Sequence, residues 1–256
     1  MKEISVVIIC RNAEKVLSRT LQTLEGLTDD IVVYDSGSTD NTKQIARSFF
    51  TKLHEGNWEG FGKTKQKATS LAKYDWILNL DADESVDVKL KNSILNLPLD
   101  NANAAYELSF NNHIGNKHLR FGEWGGDKHV RLFNRTKLNW DDAPVHEKLQ
   151  IPAGTTIQKL PGSVLHYTAN NISEYSLKMT GYAMLNAEKY YTGGKRASWL
   201  KLHFSPTFNF VRNYIFKLGF LDGYEGYGCA KVNAYYTFLK YARLKELNRE
   251  ARLSKR

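Results

Sequence analysis

The chain has 256 residues, 42% of them hydrophobic and 25% charged, which is typical of a folded protein with a sizeable core and excludes a disordered or fibrous chain. Its net charge of +9 favours an anionic partner. Two cysteines are too few for a disulfide framework, no run of about 18 apolar residues could span a membrane, and the N-terminus lacks a signal-peptide pattern. We therefore expect a cytoplasmic protein.

The first hundred residues alternate apolar runs with segments in which apolar residues recur at helical spacing. Such alternation predicts an α/β fold with a mainly parallel sheet covered by helices. Strands are predicted at 4–9, 31–34 and 75–80, and helices at about 13–24, 63–73 and 86–97. A further helix carries Ile45, Ala46 and Phe49 and has Thr39 or Asp40 as its N-cap.

Each of the three predicted strands ends in polar side chains. Arg11 and Asn12 follow the first strand, Asp35 ends the second, and Asp81 and Asp83 end the third. Right-handed crossovers bring the carboxyl ends of parallel strands to one edge, where α/β sheets bind ligands. A divalent cation with a phosphate beyond it would compensate the acids at this edge. A solvated acidic turn is the alternative for the third strand.

The middle of the chain is predicted to form short strands at 105–110, 129–133 and 164–167. The loops between them, at 124–127 and 140–147, combine tryptophan with acidic residues. An indole ring can stack on a sugar while carboxylates accept its hydroxyl hydrogen bonds, so these loops suggest a sugar-binding side. Packing in the core is the alternative for each tryptophan.

The C-terminal part is helical and aromatic. Residues 199–221 mix aromatic and aliphatic side chains with lysine and arginine, so this stretch either lies on a membrane surface or packs against the sheet or a second subunit. Residues 240–256 hold seven basic and two acidic side chains. This basic tail suits an anionic partner such as lipid or nucleic acid, or is simply a solvated helix.

Three separated segments carry a pattern found together in one enzyme family. They are SVVIICRN at 5–12, VYDSGSTD at 33–40 and DWILNLDADE at 75–84. They resemble the first strand, the Val-Asp-Asp-x-Ser-x-Asp segment and the metal motif of the family 2 glycosyltransferases. The resemblance implies the GT-A fold, a Rossmann-like and mostly parallel sheet flanked by helices, here with a helical aromatic C-terminal part.

Further segments resemble the acceptor side of the bacterial lipopolysaccharide-core glucosyltransferases of this family. These are 122–127, 131–133, 143–147 and 166–167. The Gln-x-x-Arg-Trp signature of processive members is absent from the sequence, which implies transfer of one sugar per acceptor.

The resemblance implies roles for residues on the donor side. Asp35 would accept a hydrogen bond from the uracil imide, and Asp81 would contact the ribose or the metal. Arg11, Asn12 and Lys65 would contact or neutralise the donor.

The resemblance also implies a divalent cation, Mg²⁺ or Mn²⁺, held by oxygen ligands. Asp83 is the expected direct ligand and Asp81 is shared with the donor, while Glu84 is expected to support the structure. His166 is a candidate further ligand, with a histidine of the core as the alternative.

Family members invert the anomeric centre, which requires a carboxylate base on the acceptor side. We expect Glu147 to be this catalytic base, with Asp142 and Asp127 as reserves. A surface acid beside His146 is the alternative for Glu147.

These roles describe an enzyme that moves one sugar, expected to be glucose, from a UDP-sugar to a lipopolysaccharide-core or related acceptor, either a glycan or lipid-linked. We expect it at the inner face of the cell membrane, with peripheral contact to anionic lipid and no nucleic-acid partner. The alternatives are a haloacid dehalogenase-like phosphatase that uses Asp81 as its nucleophile, and a non-catalytic binder of anionic lipid or nucleic acid.

Three regions follow from these expectations. Residues 1–110 would bind the nucleotide-sugar, residues 111–170 would form the acceptor side, and residues 171–256 would form the helical C-terminal region.

Overall fold

A computed structural model describes residues 1–143 and 147–253 of the chain. The strands are β1 Ser5–Cys10, β2 Asp30–Asp35, β3 Lys52–Glu55, β4 Trp76–Asp81, β5 Glu84–Val86, β6 Ala104–Ile114, β7 Lys117–Leu119, β8 Lys128–Asn134, β9 Asn139–Trp140, β10 Leu149–Gln150 and β11 Thr156–Ala169. The helices are α1 Leu17–Leu24, α2 Thr42–Ser48, α3 Phe61–Ser70, α4 Val88–Leu95, α5 Ile172–Thr192, α6 Trp199–Val211 and α7 Gly223–Leu253.

The chain divides into two compact units. The first unit contains residues 1–111 and 127–166, and the second contains residues 112–126 and the chain from 167 onward. The three functional regions expected from the sequence stay a prediction, because this division follows packing and not ligand binding.

The sheet of the first unit has a parallel half and an antiparallel half. Its strands follow the order β3-β2-β1-β4-β8-β6-β11-β5. Strands β3, β2, β1 and β4 run parallel, whereas β8 is antiparallel to β4 and β11 is antiparallel to β5. With its flanking helices, this sheet confirms the predicted α/β class.

Strand β1 is buried along its whole length because helices cover both of its faces. Val6 and Ile8 belong to the core that contains α1, and Val7 belongs to the core on the α3 side with Ala68. Alternate side chains of a strand point to opposite faces, so a strand covered on both faces is apolar at every position. This explains why residues 4–9 form an unbroken apolar run.

The pairing register brings the polar strand ends together, as the sequence predicts. Cys10 at the end of β1 pairs with Asp35 of β2, and Ile9 pairs with Asp81 of β4. The carboxyl ends of three parallel strands therefore meet at one edge.

The second unit is built mainly from α5, α6 and α7, which confirms the helical, aromatic C-terminal part. The hydroxyl of Tyr175 in α5 donates a 2.6 Å hydrogen bond to Asn233 of α7, and Asn233 donates in turn to Glu123 at 2.7 Å. A buried carboxylate, Asp222, accepts hydrogen bonds from the backbone N–H groups of Arg120 and Phe121. Among the described residues, no helix is long and apolar enough to cross a membrane.

One local feature differs from the sequence-based expectation. The helix expected at 86–97 begins only at Val88, because residues 84–86 form β5 and pair with β11. Pairing with a distant strand decides this boundary, which periodicity along the chain cannot reveal. Within the stretch 199–221, α6 ends at Val211, and a π-helical turn and a 3-10 turn precede α7.

Helix α4 contains one buried and one exposed apolar side chain, whose substitutions should affect stability differently. Leu90 is fully buried, and Val88 is 77% exposed. We expect Leu90→Ala to lower the free energy of unfolding by about 2–5 kcal/mol, since it removes buried methyl groups and leaves a cavity. The matched Val88→Ala should change it by less than about 0.5 kcal/mol. Urea unfolding measures both, and equal effects would contradict the packing described.

Candidate active site

Asp35 organises the loop that follows β2. Its side chain is fully buried. Oδ1 accepts hydrogen bonds from the backbone N–H groups of Gly37 (3.0 Å) and Ser38 (2.8 Å), and Oδ2 accepts one from the Ser38 hydroxyl. Gly37 has a φ of +91°, which only glycine adopts readily. Burial and the neighbouring Asp35 charge raise the pKa of the Cys10 thiol well above its usual range, so this thiol stays neutral.

Asn12 joins the end of β1 to the same loop. Its backbone N–H donates to the Ser38 hydroxyl at 2.8 Å, and its side-chain oxygen accepts from the Thr39 N–H at 2.8 Å. Asn12 adopts a left-handed φ of +51°, which asparagine tolerates better than most residues. Arg11 beside it is exposed. The donor-binding roles of Arg11, Asn12 and Asp35 stay predictions.

A chain of ion pairs runs across the carboxyl edge of the sheet. Lys65 Nζ lies 2.7 Å from Glu147 Oε1 and 3.1 Å from Asp81 Oδ1. Arg131 Nη2 lies 3.3 Å from Asp81 Oδ2 and 2.9 Å from Glu84 Oε1. We call this sequence, Glu147–Lys65–Asp81–Arg131–Glu84, the ionic chain. It connects the expected base to the expected metal motif.

Burial makes the charges of the ionic chain depend on one another. Burial alone would raise the pKa of Asp81, but Lys65 and Arg131 hold it well below its usual range. Burial raises the pKa of Glu84 to about 7, with the charge of Arg131 opposing and that of Asp81 adding to the effect. Despite its burial, Arg131 remains protonated because Glu84 and Asp81 raise its pKa.

Helix α3 positions Lys65 through close packing at its first turn. Gly62 lies against the backbone of Asp141, and a Cβ at position 62 would collide with it. The Gly62 N–H donates a 3.0 Å hydrogen bond to the Ala143 carbonyl. The Lys65 ammonium lies 4.7 Å from the ring centroid of Trp140, a cation–π distance. Lys65 is therefore held at 1% exposure between strand and loop.

Asp83 and His166 meet at the other side of Asp81. His166 Nε2 lies 3.6 Å from Asp83 Oδ2, because β11 pairs His166 with Glu84 in the antiparallel register. Both carboxylate oxygens of Asp81 face cations. Within residues 1–143 and 147–253, no three His, Cys, Asp or Glu side chains are grouped to hold a metal ion. Mg²⁺ is commonly held by one or two carboxylates together with substrate phosphates, and the Asp83 carboxylate could serve as such a ligand.

Comparison with known proteins identifies the family. A family model described as glycosyl transferase family 2 matches residues 5–146, more than half of the chain. The chain belongs to glycosyltransferase family 2. It is a glycosyltransferase, and the resemblance based on three sequence segments is confirmed.

Curated relatives match the glycosyltransferase along nearly its whole length. The lipopolysaccharide core biosynthesis glycosyltransferase LpsC of Rhizobium meliloti is 29% identical over 94% of this chain and 91% of its own. An uncharacterized glycosyltransferase of Rickettsia typhi is 26% identical over 98% of this chain and 90% of its own. Among solved structures, S. aureus TarS 1-349 covers 98% of this chain and 92% of its own, with 14% identity and a TM-score of 0.47.

Family membership decides against the two alternatives raised by the sequence. A glycosyltransferase is neither a phosphatase of the dehalogenase type nor a non-catalytic binder.

The three candidate bases of the glycosyltransferase lie in different surroundings. Glu147 is 14% exposed and belongs to the ionic chain. Asp142 is exposed and accepts a 2.8 Å hydrogen bond from Gln66 of α3. Asp127 pairs with His129 at 2.8 Å. The choice among the three stays a prediction, and residues 144–146 of the same motif lie outside the described residues.

Arg131 is the site residue to which the sequence assigned no role. It lies on β8 between Val130 and Leu132, and only 8% of it is exposed. A cation inside a buried apolar strand requires a compensating anion, and this is the signal that sequence analysis could have used. Its partners Asp81 and Glu84 are distant in sequence, so only the strand order reveals them.

We predict that Arg131→Met destabilises the glycosyltransferase strongly, because it leaves the buried Glu84 without a cation and leaves Asp81 with Lys65 alone. The loss should be about 3–5 kcal/mol in the free energy of unfolding, measured with urea. Adding Glu84→Gln should recover part of it. As a control, Arg47→Met removes an exposed ion pair with Glu55 and should cost at most about 1 kcal/mol. Similar losses for both arginines would contradict the account.

Proposed function

We propose that this glycosyltransferase moves one sugar from a UDP-sugar, with glucose as the first donor to test, to a lipopolysaccharide-core or related glycan acceptor at the inner face of the cell membrane. The name of LpsC, a relative that matches along 94% of this chain, supports the acceptor class. The absence of the processive signature from the sequence supports transfer of a single sugar.

The ionic chain is the observation that carries the proposal. Lys65 contacts Glu147 on one side and Asp81 on the other, so a carboxylate suited to the acceptor lies next to the motif suited to the donor. An acceptor hydroxyl near Glu147 would therefore face a donor held at Asp81 and Asp83. Inversion requires this arrangement, because the hydroxyl must attack from the side opposite the leaving group.

In the proposed reaction Glu147 is the general base. It takes the proton of the acceptor hydroxyl as the new bond to the anomeric carbon forms. The bond from that carbon to the donor phosphate breaks, and its electron pair leaves with the nucleoside diphosphate. Lys65 orients the base through Oε1, and the proposal assigns Oε2 to the hydroxyl.

Asp83 and His166 would hold the divalent cation, Mg²⁺ or Mn²⁺, whose charge would stabilise the departing diphosphate. Lys65 and Arg131 lower the pKa of Asp81 and so keep it ionised beside them. Asp35 would read the uracil imide, whose N–H would compete with the Ser38 hydroxyl for Oδ2. Because Asp35 is fully buried, this contact would require the Ser38 side chain to move.

We predict that Glu147→Gln lowers kcat by about 10²–10⁴-fold while UDP binding persists, because the amide cannot accept the proton. UDP release from UDP-glucose with a lipopolysaccharide-core acceptor measures kcat, and calorimetry measures UDP binding. Asp142→Asn is the matched control and should keep most of the activity. An active Glu147→Gln together with an inactive Asp142→Asn would move the base to Asp142.

We also predict that UDP raises the melting temperature more than GDP or dTDP does, and that Mn²⁺ increases the effect. A ligand at 100 times its dissociation constant stabilises the folded state by about 2.7 kcal/mol. Asp83→Asn should abolish the Mn²⁺ increment and keep the shift caused by UDP alone. A larger shift with GDP than with UDP, or an Mn²⁺ increment that survives in Asp83→Asn, would contradict the proposed donor site.

A further inference from the structure

The second unit contains a segment with an unusual combination of charge and apolar exposure. Residues 195–221, which we call the basic-aromatic segment, include no aspartate or glutamate. They include five basic side chains, namely Lys195, Arg196, Lys201, Arg212 and Lys217. Seven aromatic residues lie among them, namely Trp199, Phe204, Phe208, Phe210, Tyr214, Phe216 and Phe220.

The fold leaves the apolar side chains of this segment uncovered. Helix α6 has no buried residue. Leu200, Phe204 and Phe208 recur every four residues and so lie along one face of the helix, and Phe208 is 64% exposed. Ile215 and Phe216 extend the exposed apolar surface into the π-helical turn, where Phe216 is 75% exposed. A contiguous apolar surface of this kind marks an interaction site.

The exposed turn has a defined conformation. Leu218 adopts a left-handed φ of +57°, and Asn213 in the π-helical turn is buried. Gly219 packs so closely against the Asn213 carbonyl that a Cβ there would collide with it. These constraints present Ile215 and Phe216 outward, which reduces the entropy lost when a partner covers them.

In the basic tail at 240–256, two of the described cations, Lys240 and Arg243, already have partners in the chain. Arg243 pairs with Glu246 and Glu250, each at 3.2 Å. The Lys240 ammonium lies 5.0–5.3 Å from the centroids of three tyrosine rings. The tail therefore offers less attraction for an anionic surface than its composition suggests.

We propose that the basic-aromatic segment docks the second unit on the surface of an anionic phospholipid bilayer. The exposed side chains Leu200, Phe204, Phe208 and Phe216 enter the boundary between headgroups and acyl chains. The five cations lie at the level of the lipid phosphates. Charge complementarity favours this partner. The segment presents aromatic rings and cations and no acids, and an anionic bilayer presents apolar acyl chains beneath negatively charged phosphates. Docking on the surface also agrees with the absence of a membrane-spanning helix among the described residues.

Docking on the bilayer would bring the enzyme close to a membrane-anchored acceptor, although the docking proposal does not rest on the proposed function. Docking confines the enzyme to a plane, so an acceptor anchored in the same bilayer is met at a higher effective concentration than a free glycan. The vesicle test below contains no donor or acceptor. Its outcome is therefore independent of whether UDP-glucose and a lipopolysaccharide core are the correct substrates.

The test measures co-sedimentation of the full-length protein with vesicles of phosphatidylcholine alone or mixed with phosphatidylglycerol. We expect binding that requires phosphatidylglycerol and weakens when salt rises from about 0.1 M to about 1 M, because the Debye length falls from about 10 Å to about 3 Å. The double variant Phe204→Ser/Phe208→Ser should bind about tenfold or more weakly, since two inserted rings are lost. Lys201→Gln/Lys217→Gln should weaken the preference for phosphatidylglycerol, since two of the five cations are lost.

Phe50→Ser is the matched control, because Phe50 is 98% exposed but lies in the first unit, and it should bind like the unchanged protein. Circular dichroism checks that every variant is folded, and light scattering measures the oligomeric state. Absence of vesicle binding by the unchanged protein would overturn the proposal. So would equal binding by Phe204→Ser/Phe208→Ser. A dimer that the double variant converts to a monomer, without vesicle binding, would assign the surface to a second copy of the chain.

Discussion

Compensation of buried negative charge governs the site of this glycosyltransferase. Five elements bring Glu147, Lys65, Asp81, Arg131 and Glu84 into one line of contacts across the carboxyl edge of the sheet. Carboxylates are costly to bury, and each of the three in this chain of contacts meets a cation at close range. Counted as ionised, three carboxylates outweigh two cations, and Asp83 adds a further negative charge. A divalent cation with a diphosphate suits such a place, which links the stability of the edge to its chemistry.

The parallel and antiparallel halves of the sheet contribute different residues to this edge. The parallel half ends in the asparagine and aspartates that follow β1, β2 and β4, as expected of a nucleotide-binding edge. The antiparallel half adds what that edge lacks. Strand β8 carries Arg131 to Asp81, and β11 carries His166 to Asp83. Helix α3 then joins the edge to the loop of Glu147 through Lys65. The combination of parallel and antiparallel strand pairing therefore brings the residues of the site together.

Much of the carboxyl edge of the sheet could be predicted from the sequence because its signals are local. An apolar run such as 4–9 shows a strand covered on both faces, and polar residues directly after it show where the strand ends. The short strand β5 could not be predicted, since three residues have no period of their own and β5 depends on its pairing with β11. The role of Arg131 could not be predicted either, because it depends on contacts with Asp81 and Glu84, which are distant in sequence.

Residue types and their spacing were enough to predict the family, the α/β class and the set of polar strand ends. Tertiary structure decided which charges meet. Lys65, expected at the donor, is 1% exposed between Asp81 and Glu147, because α3 packs its Gly62 against the Asp141 backbone. The tertiary structure also decided that the stretch 199–221 ends in tight turns, with exposed aromatic side chains. Both features depend on contacts between residues far apart in sequence, and the local sequence pattern does not show these contacts.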